Sequence, residues 1–60
     1  MEFRDLLKFE IDRLGLTQRE AAEFLDVSLT TIEKWLSGKR KPSARTARSV
    51  LDDLKKEGYN

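Results

Sequence analysis

No cysteine and no histidine occur in the 60 residues. Disulfides, thiolate zinc sites, a Ser-His-Asp triad and a cysteine nucleophile are therefore excluded before any pattern is read, and a bound metal would need carboxylates alone. Proline occurs once and glycine three times, which leaves little chain for loops. No apolar run approaches the roughly 18 residues of a membrane span and no signal-peptide core follows the N-terminus, so a soluble cytoplasmic protein is expected. Nor does one sign of charge dominate. Lys and Arg number 12 against 11 Asp and Glu, and a net charge of +1 identifies no partner. What is present is an equal share, 38% each, of apolar and charged residues, enough for one small core and hence a single domain over residues 1–60.

The distribution of charge says more than its total. Residues 1–26 hold four basic and seven acidic side chains, 27–48 hold six basic and one acidic, and 49–60 hold two and three. The positive stretch is densest at Lys39-Arg40-Lys41 and continues to Arg45 and Arg48. It follows a helix directly rather than forming a tail, which suits a surface turned toward an anion, although a solvated loop would have the same composition.

Hydrophobic spacing reads as four helices. Phe3, Leu7, Ile11 and Leu14, with Leu6 beside them, share one face of a first helix over about residues 2–13, ended by Gly15. Thr17, with Glu20 three positions on, opens a second helix in the capping-box pattern; it ends near Leu25 and buries Ala21 and Leu25. After a tight Asp26-Val27 connection, Ser28 caps a third helix through Ser37, with a left-handed exit at Gly38. Lys39-Arg40-Lys41-Pro42 is the one real loop. Ser43 then caps a fourth helix with Ala47, Val50, Leu51 and Leu54 on one face, ended by Gly58, with Tyr59 placed to close a contact on Leu54.

Residues 17–42 read TQREAAEFLDVSLTTIEKWLSGKRKP. Thr17, Gln18, Ala22, Val27, Ser28, Ile32, Trp35, Gly38 and Pro42 stand in the register T-Q-x-x-x-A-x-x-x-G-V-S-x-x-x-I-x-x-W-x-x-G, followed by basic residues and Pro-Ser. In this the chain resembles the Cro and phage-repressor (Xre-type) helix-turn-helix family of DNA-binding regulators, over Leu16 to Ser43. The resemblance implies an all-α fold, a compact four-helix domain of the lambda-repressor-like type whose helices 2 and 3 form the helix-turn-helix, with no cofactor, metal or catalytic residue. Physics supports the matched types independently. Ala22 is small enough for the third helix to cross the second closely, and Val27, Ile32 and Leu36 fill the space between them. Trp35, beside Ile32 and Leu36 at helical spacing, reads as half-buried packing rather than a platform for bases.

With Ile32 pointing inward, about 100° per residue puts Thr30, Lys34 and Ser37 on the opposite face, flanked by Thr31 and Glu33. In the family this helix enters the major groove by its N-terminus, so the resemblance makes Leu29, Thr30 and Lys34 the base readers. Lys34 suits guanine O6 and N7, Leu29 a thymine methyl, and Thr30 either. Gln18 resembles the family's phosphate-clamping glutamine, at a helix end that adds exposed N–H groups. Thr31, by its hydroxyl, and Lys39, Arg40 and Lys41, as the equivalent loop in relatives, complete the implied phosphate contacts. Arg45 is a weaker candidate, and Arg19 could equally pair with Glu23 four positions on.

The chain departs from the family in three ways. Where many relatives bury an arginine–glutamate pair between the first and third helices, this sequence has Ile11 and Leu36, so an apolar contact is expected in its place. Asp26 replaces the usual glycine of the turn. The four helices lack the fifth element or strand that builds the dimer in many relatives. Phe9 and Phe24 fall off the core stripes, and the expectation is that one extends the core while the other meets a partner.

The leading expectation is a sequence-specific, double-stranded DNA-binding transcriptional regulator, a small phage, prophage or bacterial repressor that binds an inverted-repeat operator. It would act as a homodimer, formed in solution or only on DNA, with no small-molecule ligand. The alternative is an antitoxin- or antirepressor-like protein-interaction module on the same scaffold, to which the off-stripe phenylalanines and the low net charge would also fit. An enzyme is not expected, because Asp52, Asp53 and Glu57 beside Lys55 and Lys56 read most simply as solvent-facing ion pairs.

Overall fold

The computed structural model describes residues 2–57 as four helices, α1 (Phe3–Leu14), α2 (Gln18–Leu25), α3 (Leu29–Ser37) and α4 (Ala44–Glu57), with no strand among the described residues. The expected helix end at Gly58 and the contact of Tyr59 with Leu54 lie outside them.

Side-chain oxygens start three of the helices. Thr17 Oγ1 accepts the Glu20 N–H at 3.0 Å while Glu20 Oε1 accepts the Thr17 N–H at 2.8 Å, the reciprocal capping box that the sequence spells. Ser28 Oγ accepts the Thr31 N–H at 3.1 Å, and Ser43 Oγ accepts the Thr46 N–H at 3.2 Å. At the start of α1 the Glu2 side chain makes no cap bond, and the helix opens at Phe3, one residue later than the spacing suggests.

Three helices end alike, on a left-handed residue. Gly15 (φ 71°), Asp26 (φ 59°) and Gly38 (φ 80°) each turn the chain so that the next residue's N–H reaches back a full turn, as in Leu16 N–H to Ile11 O at 3.1 Å and Val27 N–H to Ala22 O at 2.9 Å. Asp26 is the only non-glycine residue at positive φ among the described residues, and its side chain is exposed. The Cβ of Asp26 is therefore strained in a conformation that glycine adopts freely. Asp26→Gly is expected to leave the melting temperature unchanged or raise it by a few degrees, equivalent to at most about 1 kcal/mol; a clear drop in thermal melting would reveal a bonding role for the carboxylate.

α1 packs against both α3 and α4, and α2 packs against α3. The buried core is Leu7 and Ile11 from α1, Ala21 and Ala22 from α2, Ile32 and Trp35 from α3, and Val50 and Leu54 from α4. The apolar stripe of each helix thus turns toward the others, as its spacing requires. Four positions differ in depth from expectation. Leu25, Val27 and Leu36 are only partly buried, at the rim where the short α2–α3 pair runs out of neighbours. Trp35 goes deeper, 5% exposed, because the Phe3 ring meets it edge-on with centroids 5.7 Å apart.

Neither off-stripe phenylalanine joins the core, so the expectation that one of them extends it is corrected. Phe9 is 62% and Phe24 43% exposed, each on the outward side of its helix. Conversely Glu10 is buried, its Oε1 held by Arg13 Nε at 2.7 Å and Nη2 at 2.6 Å, so the carboxylate keeps a charged partner where water is excluded. The ion pairs expected of Arg19 with Glu23 and of Asp52 and Asp53 with their lysine neighbours do not form among the described residues. All of these groups are exposed, where water competes successfully with an i,i+4 partner.

Candidate nucleic-acid interface

The outward face of α3 follows from its inward one. With Ile32 fully buried and Trp35 nearly so, Thr30, Glu33, Lys34 and Ser37 are exposed and line one shallow groove with Lys39. Two of the three residues assigned to base reading, Thr30 and Lys34, therefore sit together and open to solvent. The third, Leu29, is partly buried in the first turn of α3 and presents only part of its side chain outward. Glu33, which the helical projection leaves on the flank, lies inside the groove. It brings the only carboxylate of that lining, an acceptor suited to cytosine N4 and repelled by phosphate.

Thr31 is placed differently from a free phosphate donor. Its Oγ1 lies 2.8 Å from Ser28 Oγ, which already accepts the Thr31 N–H. One of the two hydroxyl protons lies between these oxygens, so the pair keeps a single proton for an outside acceptor. Gln18 is exposed at the first position of α2, its helix start closed by the Thr17–Glu20 capping box.

The basic loop is fastened to α3 rather than loose. The Lys34 carbonyl accepts from the Ser37 hydroxyl at 3.1 Å, the Lys39 N–H at 3.0 Å and the Arg40 N–H at 3.3 Å, while the Trp35 carbonyl accepts the Gly38 N–H at 3.2 Å. A single carbonyl thus ties the reading helix to the backbone of both Lys39 and Arg40, so both side chains start from a main chain held at the end of α3. Lys39, Arg40 and Lys41 are all exposed. Arg45 is not part of this surface: it lines a cleft along α4 with Arg48, Asp52, Asp53 and Lys56.

One cation at the loop escapes the sequence reading altogether. Arg4, on α1, lines a cleft with Arg40 and Lys41, remote along the chain yet adjacent across the α1–α3 seam. Its signal in the sequence is only a basic residue early in an amphipathic helix. Among the described residues there is no cluster of side chains fit to hold a metal ion, and no helix is long and apolar enough to cross a membrane.

A helix-turn-helix family model matches residues 7–57, which takes in α1 from Leu7 onward and all of α2, α3 and α4. No curated protein and no solved structure matches the chain. The motif read from the sequence, the packing of α2 against α3 with Ala22 and Ile32 both buried in the core, and the family match agree. The chain belongs to the Cro and phage-repressor (Xre-type) helix-turn-helix family of DNA-binding transcription regulators.

Proposed function

We propose that this chain, folding as one domain, is a sequence-specific repressor that places α3 in the major groove of an inverted-repeat operator and acts as a homodimer. The observation that carries this reading is the shared surface of Thr30, Lys34 and Lys39, with the loop backbone bonded to the Lys34 carbonyl. Such an arrangement separates two tasks. Thr30, Lys34 and the exposed part of Leu29 meet base edges, while Gln18, Thr31, Lys39, Arg40 and Lys41 meet phosphates and set the register of the helix on the duplex. A module this small buries little area on DNA, so two copies on half-sites about one helical turn apart supply the affinity. Repression follows from occupancy of a promoter, in the cytoplasm where the duplex is, and needs no ligand or catalytic group.

The test is selection of duplexes from a random pool at two salt concentrations, followed by sequencing. An enriched inverted repeat supports the operator-binding dimer and reads out its half-site spacing. On the selected site, Lys34→Ala is expected to cost about 1–3 kcal/mol and to relax preference at one base pair. Lys39→Ala is expected to weaken binding to all sequences alike and to reduce the salt slope by about 0.9. These two losses, measured by titration, distinguish a reader from an anchor.

A protein-interaction module on the same scaffold is the second reading, favoured by the exposed rings of Phe9 and Phe24. Absence of duplex binding at low salt would select it over the repressor.

A further inference from the structure

The Arg4 side chain leaves α1 and lies across the end of α3. A Cβ built on Gly38 would come within 2.5 Å of Arg4 Nη1, so the guanidinium lies directly over this glycine, which the left-handed backbone requires in its own right. The guanidinium is not recruited to close the helix. The Lys34 and Trp35 carbonyls already accept from Ser37, Lys39, Arg40 and Gly38, and Arg4 makes no hydrogen bond or ion pair among the described residues. Its N–H donors are left to an acceptor outside the protein.

Two further cations meet it. Arg4, Arg40 and Lys41 line one cleft, of about 380 Å³, with the buried Trp35 as part of its wall. The one carboxylate in that lining is Glu2, whose Oε2 lies 3.4 Å from Lys41 Nζ, both groups exposed. An anionic oxygen therefore already stands against this cluster in the free protein. The cluster is joined to the reading surface through the loop backbone: Lys39 lines the groove of Thr30 and Lys34, Arg40, the next residue, lines the cleft with Arg4, and both N–H groups are held by the Lys34 carbonyl.

We infer that Arg4, together with Arg40 and Lys41, forms a phosphate site for the backbone of the duplex that α3 reads, and that Glu2 holds Lys41 until DNA displaces it. This rests on the DNA-binding reading above and adds to it a contact from the first helix. Arginine suits the role because its planar fork meets two phosphate oxygens at once, which a lysine at the same place does not. Glu2 opposes binding twice, by occupying Lys41 and by repelling the incoming phosphate.

The experiment is a salt titration of binding to a duplex of random sequence, about 20 base pairs long, with the wild-type chain, Arg4→Ala, Arg4→Lys and Glu2→Gln. Arg4→Ala is expected to lower affinity several-fold and to reduce the slope of log K against log salt by about 0.9, as removal of one phosphate contact does. Arg4→Lys is expected to keep most of the slope and lose part of the affinity, and Glu2→Gln to bind about two- to five-fold more tightly. A merely structural Arg4 would change the melting curve and leave the slope alone. A wild-type slope in folded Arg4→Ala, or a Glu2→Gln affinity no higher than wild type, overturns the inference while the DNA-binding reading stands; if Arg4→Ala does not fold, Glu2→Gln alone decides. A wild-type chain that fails to bind the duplex at low salt overturns both.

Discussion

Ile32→Ala is expected to cost about 2–5 kcal/mol of stability and to remove duplex binding with it. Ile32 is fully buried in the shared core, on the helix that packs against both α1 and α2, so truncation leaves a cavity that these helices would have to collapse together to fill. A chain of this length has only about 3–9 kcal/mol in total, at the usual 0.05–0.15 kcal/mol per residue. The loss therefore takes a large part of the native population at ambient temperature. Urea unfolding followed by circular dichroism measures it, with Lys34→Ala, exposed on the other side of the same helix, as the control that keeps its stability. A cost below about 1 kcal/mol would mean that the reading face is not held by this residue.

Ile11→Arg is expected to be as severe, about 3–5 kcal/mol, because it puts a charge where an apolar side chain is buried, with only the exposed Asp12, already facing Lys8, as a nearby carboxylate. Ile11 is 4% exposed and shares a cleft with Leu36 of α3, the residue at which relatives place the matching glutamate. Leu36→Glu alone is expected to cost less, since Leu36 is only partly buried and a carboxylate there can lean toward water. The two changes together should recover much of the Ile11→Arg loss, by building across that cleft the ion pair that relatives carry. Thermal or urea unfolding of the four proteins in the cycle supplies the coupling. A strictly additive double mutant would show that Ile11 and Leu36 do not face each other energetically.

Much of the candidate interface is legible in one dimension because its rules are local. An i,i+3 hydroxyl or carboxylate cap needs only neighbours in sequence, and so Thr17, Ser28 and Ser43 start their helices where they are read to. Thr30 and Lys34 come out exposed because helical periodicity ties their direction to that of Ile32. Glu33 falls on the flank in projection yet lies in the groove, because a projection gives only a direction, whereas the groove is closed by Lys39, a residue beyond the helix.

What the sequence determined by itself is the set of helices, the caps that start α2, α3 and α4, the inward stripe and the family, all of which depend on spacings of three or four residues and on the types that fit them. The tertiary structure alone decided how deep each stripe residue lies and which cations stand together. Trp35 is buried because Phe3 comes from another helix to cover it, Leu25 and Leu36 stay at the rim because none of the described helices covers them, and Glu10 is enclosed with Arg13 as its partner. Arg4 joins Arg40 and Lys41 only because α1 packs against α3 and brings the guanidinium over Gly38 at its end. Burial and electrostatic clustering depend on distances between segments remote in the chain, and helix packing, not local spacing, sets those distances.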